Sequence, residues 1–473
     1  MTKTKKKQNL SANIKYSVVA NFITMLISII SIIIFPKILG TSSYGYYQLY
    51  LFYISFAGII HFGIIDGILL NFAGLSYNDI VKKRVINQFW ILSILQLIIT
   101  LPIISMINFI IKFNYNQFIV IVLSLICIVI TNQRSLILSV LQSSNRIYEY
   151  SKLTRIDRII FIFPAIIYLL FLGNNFTVLI MIDLVCRFLA LIYGIFLIRN
   201  DFFKTISIEK KDILETIKLS KSGLNLTFSF LSNQLITGVI RLSIQNKWSI
   251  TEFGKISLTL SLSNMFLTFI NAISATLFPH LRKIEVRLYS DIYEKYRAIF
   301  VSLTFGILVL FYPMADILNI WLPEYKDSIY YMGILFPMFV YEAKTSLITN
   351  TFLKTIRKEK IIFFSNISAL IISIVFSLIF VFIFSSIELT VFLILFVVVI
   401  KSEISEIFLS KYLNKSTLLM RLQEYVLTLV FVGVNLYLPL YFALLGYILI
   451  YFVYMMWDGK YKAIIAFYRR KSS

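Results

Sequence analysis

Asp183 and Arg187 stand four residues apart in MIDLVCRFLALIYGIFLI (181–198), a stretch with no other charge. In an α-helix that spacing puts both on one face, where carboxylate and guanidinium can pair. A charge at the depth of the bilayer centre costs at least about 2.5 kcal/mol, so those retained there face protein or a water-filled cavity. Arg134, Arg241 and Lys344 also fall within apolar runs, as do Glu342, Glu403 and Glu406, with Asp66 and Asp316 near the ends of such runs. Arginine stays charged at any physiological pH, and its planar fork grips two phosphate oxygens at once. Several such cations around one cavity would draw in an anion, a diphosphate above all. Arg187, Arg241, Arg134 and Lys344 are therefore the candidate substrate-binding residues, with Arg187 and Arg241 set to face the phosphate. Asp66, Asp183 and Glu342 are candidates for a coupling ion. His61 joins them because imidazole titrates near neutral pH.

Each residue also has a plainer reading. Asp183 and Arg187 can be a pair that only holds the bundle together, as can Glu342 and Lys344. Arg134, Lys401, Glu403 and Glu406 lie close enough to helix ends to reach the interface with their long side chains. A lone histidine in an apolar helix is commonly a packing residue.

The elements that must carry these groups are helices across a membrane. Of the 473 residues 59% are hydrophobic and 14% charged, against about 45–50% and 25% in soluble domains, and the mean hydropathy is +0.85. Apolar runs of membrane-spanning length recur from end to end. Helices are expected at 16–36, 44–70, 85–111, 117–141, 156–172, 176–198, 223–246, 255–278, 298–321, 328–352, 361–384, 388–410, 422–438 and 440–457. The last two share one apolar run divided at Asn435 and Pro439, because the residue before a proline disfavours helix. The expectation is an all-α integral membrane protein of about fourteen helices, with twelve as the alternative.

The net charge of +22 would suggest nucleic acid in a soluble protein. Here lysine and arginine collect in alternate loops, as they do on the cytoplasmic side. With the N-terminus inside, thirty-five of the forty-five fall in inner segments and four (Lys37, Lys112, Lys247 and Lys326) in outer ones. Both termini are then cytoplasmic, with twelve helices as with fourteen, and no nucleic acid is called for. The basic start, MTKTKKKQNL, reads as the approach to an uncleaved first helix.

Between the sixth and seventh helices, RNDFFKTISIEKKDILETIKLSKS (199–222) carries Ile213, Leu214 and Ile217 at helical spacing among charges, the pattern of an amphipathic helix on the inner surface. The chain also repeats. SSYGYYQLY (42–50) follows the first helix, and TEFGKISLT (251–259) follows the seventh, 209 residues later. A repeat of six helices in one orientation implies two parallel lobes. The expected division is a six-helix lobe at 1–205, a linker at 206–222, a second six-helix lobe at 223–412, and two helices with a basic tail at 413–473. Cys127 and Cys186 lie in apolar runs and suit neither a disulfide nor a metal cluster. No phosphate-binding loop, zinc motif or nucleophile elbow occurs. Nothing argues for an enzyme or a cofactor.

The opening SVVANFITMLISIISIIIFPKILGTSSYGYYQLYLFYISFAGIIHFGIIDGILL resembles that of the Wzx-type polysaccharide flippases. The carriers of the likeness are Leu39-Gly40, Tyr44-Gly45 and Gly63-Ile64-Ile65-Asp66-Gly67. The resemblance implies membership of the superfamily that also holds the multidrug and toxin extruders. It implies two lobes in a V around a central cavity, working by alternating access in the bacterial cytoplasmic membrane. The implied substrate is an undecaprenyl-diphosphate-linked oligosaccharide for O-antigen, capsule or a related surface glycan. A glycan polymerase and a chain-length regulator are the further partners it suggests beside the membrane lipids. The alternative is an ion-coupled exporter of drugs or organic cations, for which the acidic residues would be essential. A membrane-bound glycan polymerase fits less well, because all outer loops here are short. A major-facilitator carrier lacks its signature between the second and third helices, where GLSYNDIVKKRV stands.

Overall fold

The structure, a computed structural model, describes residues 3–82, 84–110, 114–199, 207–281 and 285–457. The basic C-terminal tail from 458, the first residue of the expected linker at 206, and Lys112 lie outside the described residues. Helix fills every expected span over its described residues apart from breaks noted below, and no strand occurs among them. Among the described residues seven helical spans are long and apolar enough to cross a membrane by length and composition, Thr24–Ile59 the first of them. The chain divides into two compact units, Met1–Gln234 and Leu235–Ser473.

In the first unit, α1 (Lys3–Ile54) is two helical legs joined at Gly40, whose φ of 72° only glycine adopts freely. The second leg begins with the repeat segment, and its Tyr44 is fully buried. The span expected at 44–70 is not one helix. It ends at Ile54, passes through a single 3₁₀ turn and two left-handed residues, Phe62 and Gly63, and resumes as α2 (Ile64–Phe72). A short α3 (Tyr77–Lys82) leads to α4 (Val85–Ile110), α5 (Tyr115–Ser143), α6 (Ile147–Ile167) and α7 (Phe176–Leu197). The side chain of Asn175 caps α7 by accepting from the Thr177 amide at 2.8 Å. The second leg of α1 packs against α5, α6 and α7, which pack on one another.

Residues 210–222 are helical and run without a break into the seventh expected span, forming α8 (Lys210–Lys247). This helix crosses α2 at backbone contact. A Cβ on Gly67 would sit 2.0 Å from the Leu219 carbonyl oxygen, and one on Gly223 would sit 2.0 Å from that of Gly63. Glycine at these positions lets the two backbones touch. The Ser220 hydroxyl donates to the Phe62 carbonyl oxygen at 2.6 Å, so the broken segment finds partners on α8. At the start of α8, Arg84 pairs with Asp212 at 3.0 Å and with Glu209 at 2.6 Å. Lys211 and Arg84 hold the exposed Glu209 carboxyl below its ordinary range.

In the second unit, α9 (Ile250–Leu281) starts with the second repeat segment, and its Phe253 is buried as Tyr44 is. Two spans are interrupted. α10 (Tyr289–Ile307) reaches α11 (Phe311–Trp321) through a 3₁₀ turn. α12 (Lys326–Leu335) stops before Pro337, and α13 (Met338–Ala343) passes through a π-turn, Lys344–Thr349, into α14 (Asn350–Thr355). α15 (Glu359–Leu378) and α16 (Ile387–Tyr412) form a hairpin. α17 (Leu418–Tyr437) and α18 (Leu440–Met456) are separate helices, broken at Leu438–Pro439, so the final apolar run makes two elements.

Candidate functional site: two groups of charges within the helices

Three arginines of the first unit sit at one level. Arg134 is nine residues from the end of α5 at Ser143, and Arg187 ten from the end of α7 at Leu197. Arg158 is eleven from the start of α6 at Ile147. At about 1.5 Å per residue, each lies roughly 14–17 Å from neighbouring helix ends.

Arg187 is buried, at 4% exposure, and its Nε donates to Asp183 Oδ2 at 2.7 Å. The same carboxylate oxygen accepts from the Tyr50 hydroxyl of α1 at 2.8 Å. The i, i+4 pairing expected from the sequence therefore forms, and a tyrosine is its third member. Arg134 pairs with Asp157 of α6 at 2.9 Å, and its charge lies within electrostatic reach of Arg187 and Arg158. Among the described residues this level thus holds three arginines and two aspartates, one net positive charge.

The second unit holds a larger group that balances. The Lys344 ammonium, 2% exposed, lies 3.0 Å from Glu403, 2.7 Å from Glu406 and 2.8 Å from Glu424. Oxygens of these three carboxylates lie within 4.8 Å of one another, close enough to share a metal ion. The lysine reaches all three, so a tethered cation stands where these oxygens converge. Arg297 bridges Glu406 and Glu424, and Arg421 reaches Glu403 at 3.2 Å. The Tyr293 hydroxyl adds a bond to Glu406 at 3.1 Å. Three cations meet three anions, contributed by α10, the π-turn, α16 and α17.

The remaining candidates are placed as follows. Glu342 pairs with Lys401 at 2.5 Å. Arg241, half-buried on α8, donates to the Ser257 hydroxyl at 2.8 Å and lies over the Phe253 ring at 4.9 Å. His61 accepts from the Gly63 amide at 3.1 Å, within the broken segment. Asp66, in the first turn of α2, accepts from the Thr227 hydroxyl of α8. Asp183, Arg187 and Arg134 thus come together in one unit. Lys344 meets Glu403 and Glu406 in the other, while Glu342 binds Lys401 instead of Lys344.

Sequence reasoning missed Asp157, Arg158, Arg297, Arg421 and Glu424. Arg158 and Arg297 were counted among the inner-loop charges, because each lies just at the edge of an expected span. A signal was available: Asp157 and Arg158 are a charged pair inside the span expected at 156–172.

A groove of about 760 Å³ opens among α15, α16 and α17, walled by Phe376, Phe380, Phe392, Phe396 and aliphatic side chains, with Glu403 at its edge. Its charged member is already bound to Lys344 and Arg421.

Comparison with known proteins agrees with this architecture. No curated protein matches the chain in sequence. Among solved structures it is similar to the lipid II flippase MurJ in an inward closed conformation. That match has 13% identity and a TM-score of 0.66, covering 96% of this chain and 99% of that one. An inward-facing multidrug resistance MATE family transporter of the MOP superfamily matches at 14% identity and a TM-score of 0.57, over 81% of this chain and 92% of that one. A MOP superfamily transporter from Pyrococcus furiosus, described as having a binding pocket of reverse polarity, matches at 14% identity and a TM-score of 0.53, over 85% and 95%. At these identities the likeness establishes the fold, that of the MOP transporters. Residues 10–285, more than half of the chain, match the polysaccharide biosynthesis protein family, and the chain belongs to that family.

Proposed function

We propose that the protein is a flippase moving undecaprenyl-diphosphate-linked oligosaccharide across the bacterial cytoplasmic membrane, by alternating access, for O-antigen, capsule or a related surface glycan. Family membership supports the glycan pathway. The observation that carries the choice of substrate is the belt of Arg134, Arg158 and Arg187 against only Asp157 and Asp183. An uncompensated cation among apolar helices is costly unless an anion visits it. A diphosphate is such an anion, and guanidinium forks bind it bidentately. An exporter of organic cations would instead need uncompensated carboxylates, and the three of the Lys344 group are each matched by a cation.

In this reading Arg187 and Arg134 supply a fixed positive field, and Arg241 is a further candidate for the phosphate. Lys344, Arg297 and Arg421 together neutralise the carboxylates of the second unit. Asp66, beside His61 at the break before α2, is the proposed ion-coupling point, with Asp183 and Glu342 committed to Arg187 and Lys401. A glycan polymerase and a chain-length regulator would act on the product at the outer surface.

The experiment is lipid analysis of cells lacking the protein, with surface glycan scored alongside. The expected result is lipid-diphosphate oligosaccharide accumulating on the inner leaflet while surface polymer is lost. Unchanged lipids and glycan, with new sensitivity to cationic drugs, would reject the flippase and favour the exporter.

A further inference from the structure

The break between α1 and α2 is held in a conformation that its backbone does not favour. Phe62 and Gly63 are left-handed in succession, with φ of 47° and 76°. Glycine adopts this freely, whereas Phe62 does so at a cost of about 1–2 kcal/mol, so bonds must hold the turn. The Ile64 amide donates to the His61 carbonyl oxygen at 2.9 Å, and the Ser220 hydroxyl of α8 donates to that of Phe62 at 2.6 Å. A third bond is of another kind. The Gly63 amide donates to His61 Nδ1 at 3.1 Å, much as it would to an asparagine side chain closing a turn two residues on.

Nδ1 accepts only while it carries no proton. An imidazolium has an N–H at both ring nitrogens, and one of them would then meet the Gly63 N–H, donor against donor. A protonated His61 must turn away, and the turn loses its closing bond. The ring is 8% exposed. Asp66, whose carboxylate accepts from Thr227 of α8, is the charged group within electrostatic reach of it among the described residues. It offers the imidazolium a counter-charge. The other elements packed on the segment present Ile104 of α4, Leu125, Ile128 and Asn132 of α5, and Leu224 and Phe230 of α8, none of which titrates. The same turn seats α2 on α8. A Cβ on Gly63 would stand 2.6 Å from the Leu224 amide nitrogen, and one on Gly223 would stand 2.0 Å from the Gly63 carbonyl oxygen. A turn that opens at Gly63 therefore moves the backbone that α8 touches.

We propose that His61 binds a proton and is the latch of this crossing: the neutral ring closes the turn and seats α2 on α8, and the imidazolium releases it. The proposal names the ion at the coupling point placed at Asp66 and rests on that reading for its part in transport, though the latch itself does not. Because the closing bond needs the neutral ring, the latch is shut at high pH. It opens as pH falls through the range in which imidazole charges, about pH 5–8.

The chain has two histidines, His61 and His280, so isotope-labelled histidine in the full-length protein in nanodiscs gives two imidazoles, and His280→Gln leaves one. Nitrogen resonances of His61 should show the neutral ring at about pH 8 with its proton on Nε2 and the imidazolium at about pH 5. A proton on Nδ1 of the neutral ring would overturn the proposal. Hydrogen–deuterium exchange over residues 58–68 and 216–228, corrected for the intrinsic effect of pH, reads the latch itself. The wild type should exchange several-fold faster at about pH 6 than at about pH 8. His61→Asn, whose amide oxygen takes the place of Nδ1, should be slow at both, and His61→Ala fast at both. Exchange in the wild type that ignores pH, or a pH dependence that survives in His61→Asn, would overturn the latch. Neither result touches the flippase reading. Cells lacking the protein that keep normal lipids would instead remove the role in transport and leave the latch standing.

Discussion

At the scale of single residues, each buried charge is worth what its partner makes it worth. Breaking a buried pair from one side leaves a charge in a low-dielectric interior and costs about 3–5 kcal/mol, whereas replacing both partners with apolar residues can be neutral. Asp157→Leu should therefore lower the unfolding temperature of the purified protein by several degrees, and the double substitution Arg134→Met with Asp157→Leu should recover most of it. A double variant less stable than both single ones would contradict this. Lys344→Met is more severe, because Glu403, Glu406 and Glu424 would confront one another with only Arg297 and Arg421 to offset them. We expect a loss of at least about 3 kcal/mol, measured as poor recovery of folded protein by size exclusion, with Lys344→Arg recovering more.

At the scale of elements, the crossing of α2 and α8 depends on backbones in contact. Gly67→Ala places a methyl group 2.0 Å from the Leu219 carbonyl oxygen, and Gly223→Ala meets the Gly63 carbonyl oxygen in the same way. Both should destabilise by at least about 1–3 kcal/mol, as overpacking does. Gly433→Ala, on α17, meets nothing within 4 Å and should be neutral or slightly stabilising, because alanine is the better helix former. Thermal unfolding of the three variants side by side checks the contrast. The apolar run of 44–70 suggested one helix, and hydropathy had no means of showing the break. Residues 55–63 are as apolar as a helix, and their backbone departs from it at Phe62 and Gly63 while bonding to Ser220 of α8. The break at Leu438–Pro439, by contrast, was legible, because proline acts locally.

At the scale of the whole molecule, the loop charges predict a sidedness that the fold carries through alternate turns. With Cys127 and Cys186 replaced, single cysteines at Asn174, Pro323 and Ser385 should react with a membrane-impermeant thiol reagent in intact cells. Those at Asn145 and Asn414 should react only after permeabilisation. Reaction of both sets from outside would refute the topology.

The sequence by itself determined the solvent, the helices and the repeat. Lipid admits only backbones that satisfy their own hydrogen bonds, so hydropathy suffices for the apolar spans, though not for the break within 44–70. It also determined the Asp183–Arg187 pair, because i and i+4 on one helix are neighbours whatever else the chain does. Only the tertiary structure decided which charges remain unspent. Arg158 and Arg297 look alike in sequence, each at the edge of an apolar span. Packing gives Arg297 two glutamates more than a hundred residues away and leaves Arg158 with no ion pair among the described residues. The pairing of a buried charge is set by which helices meet at its depth, and no local pattern encodes that meeting.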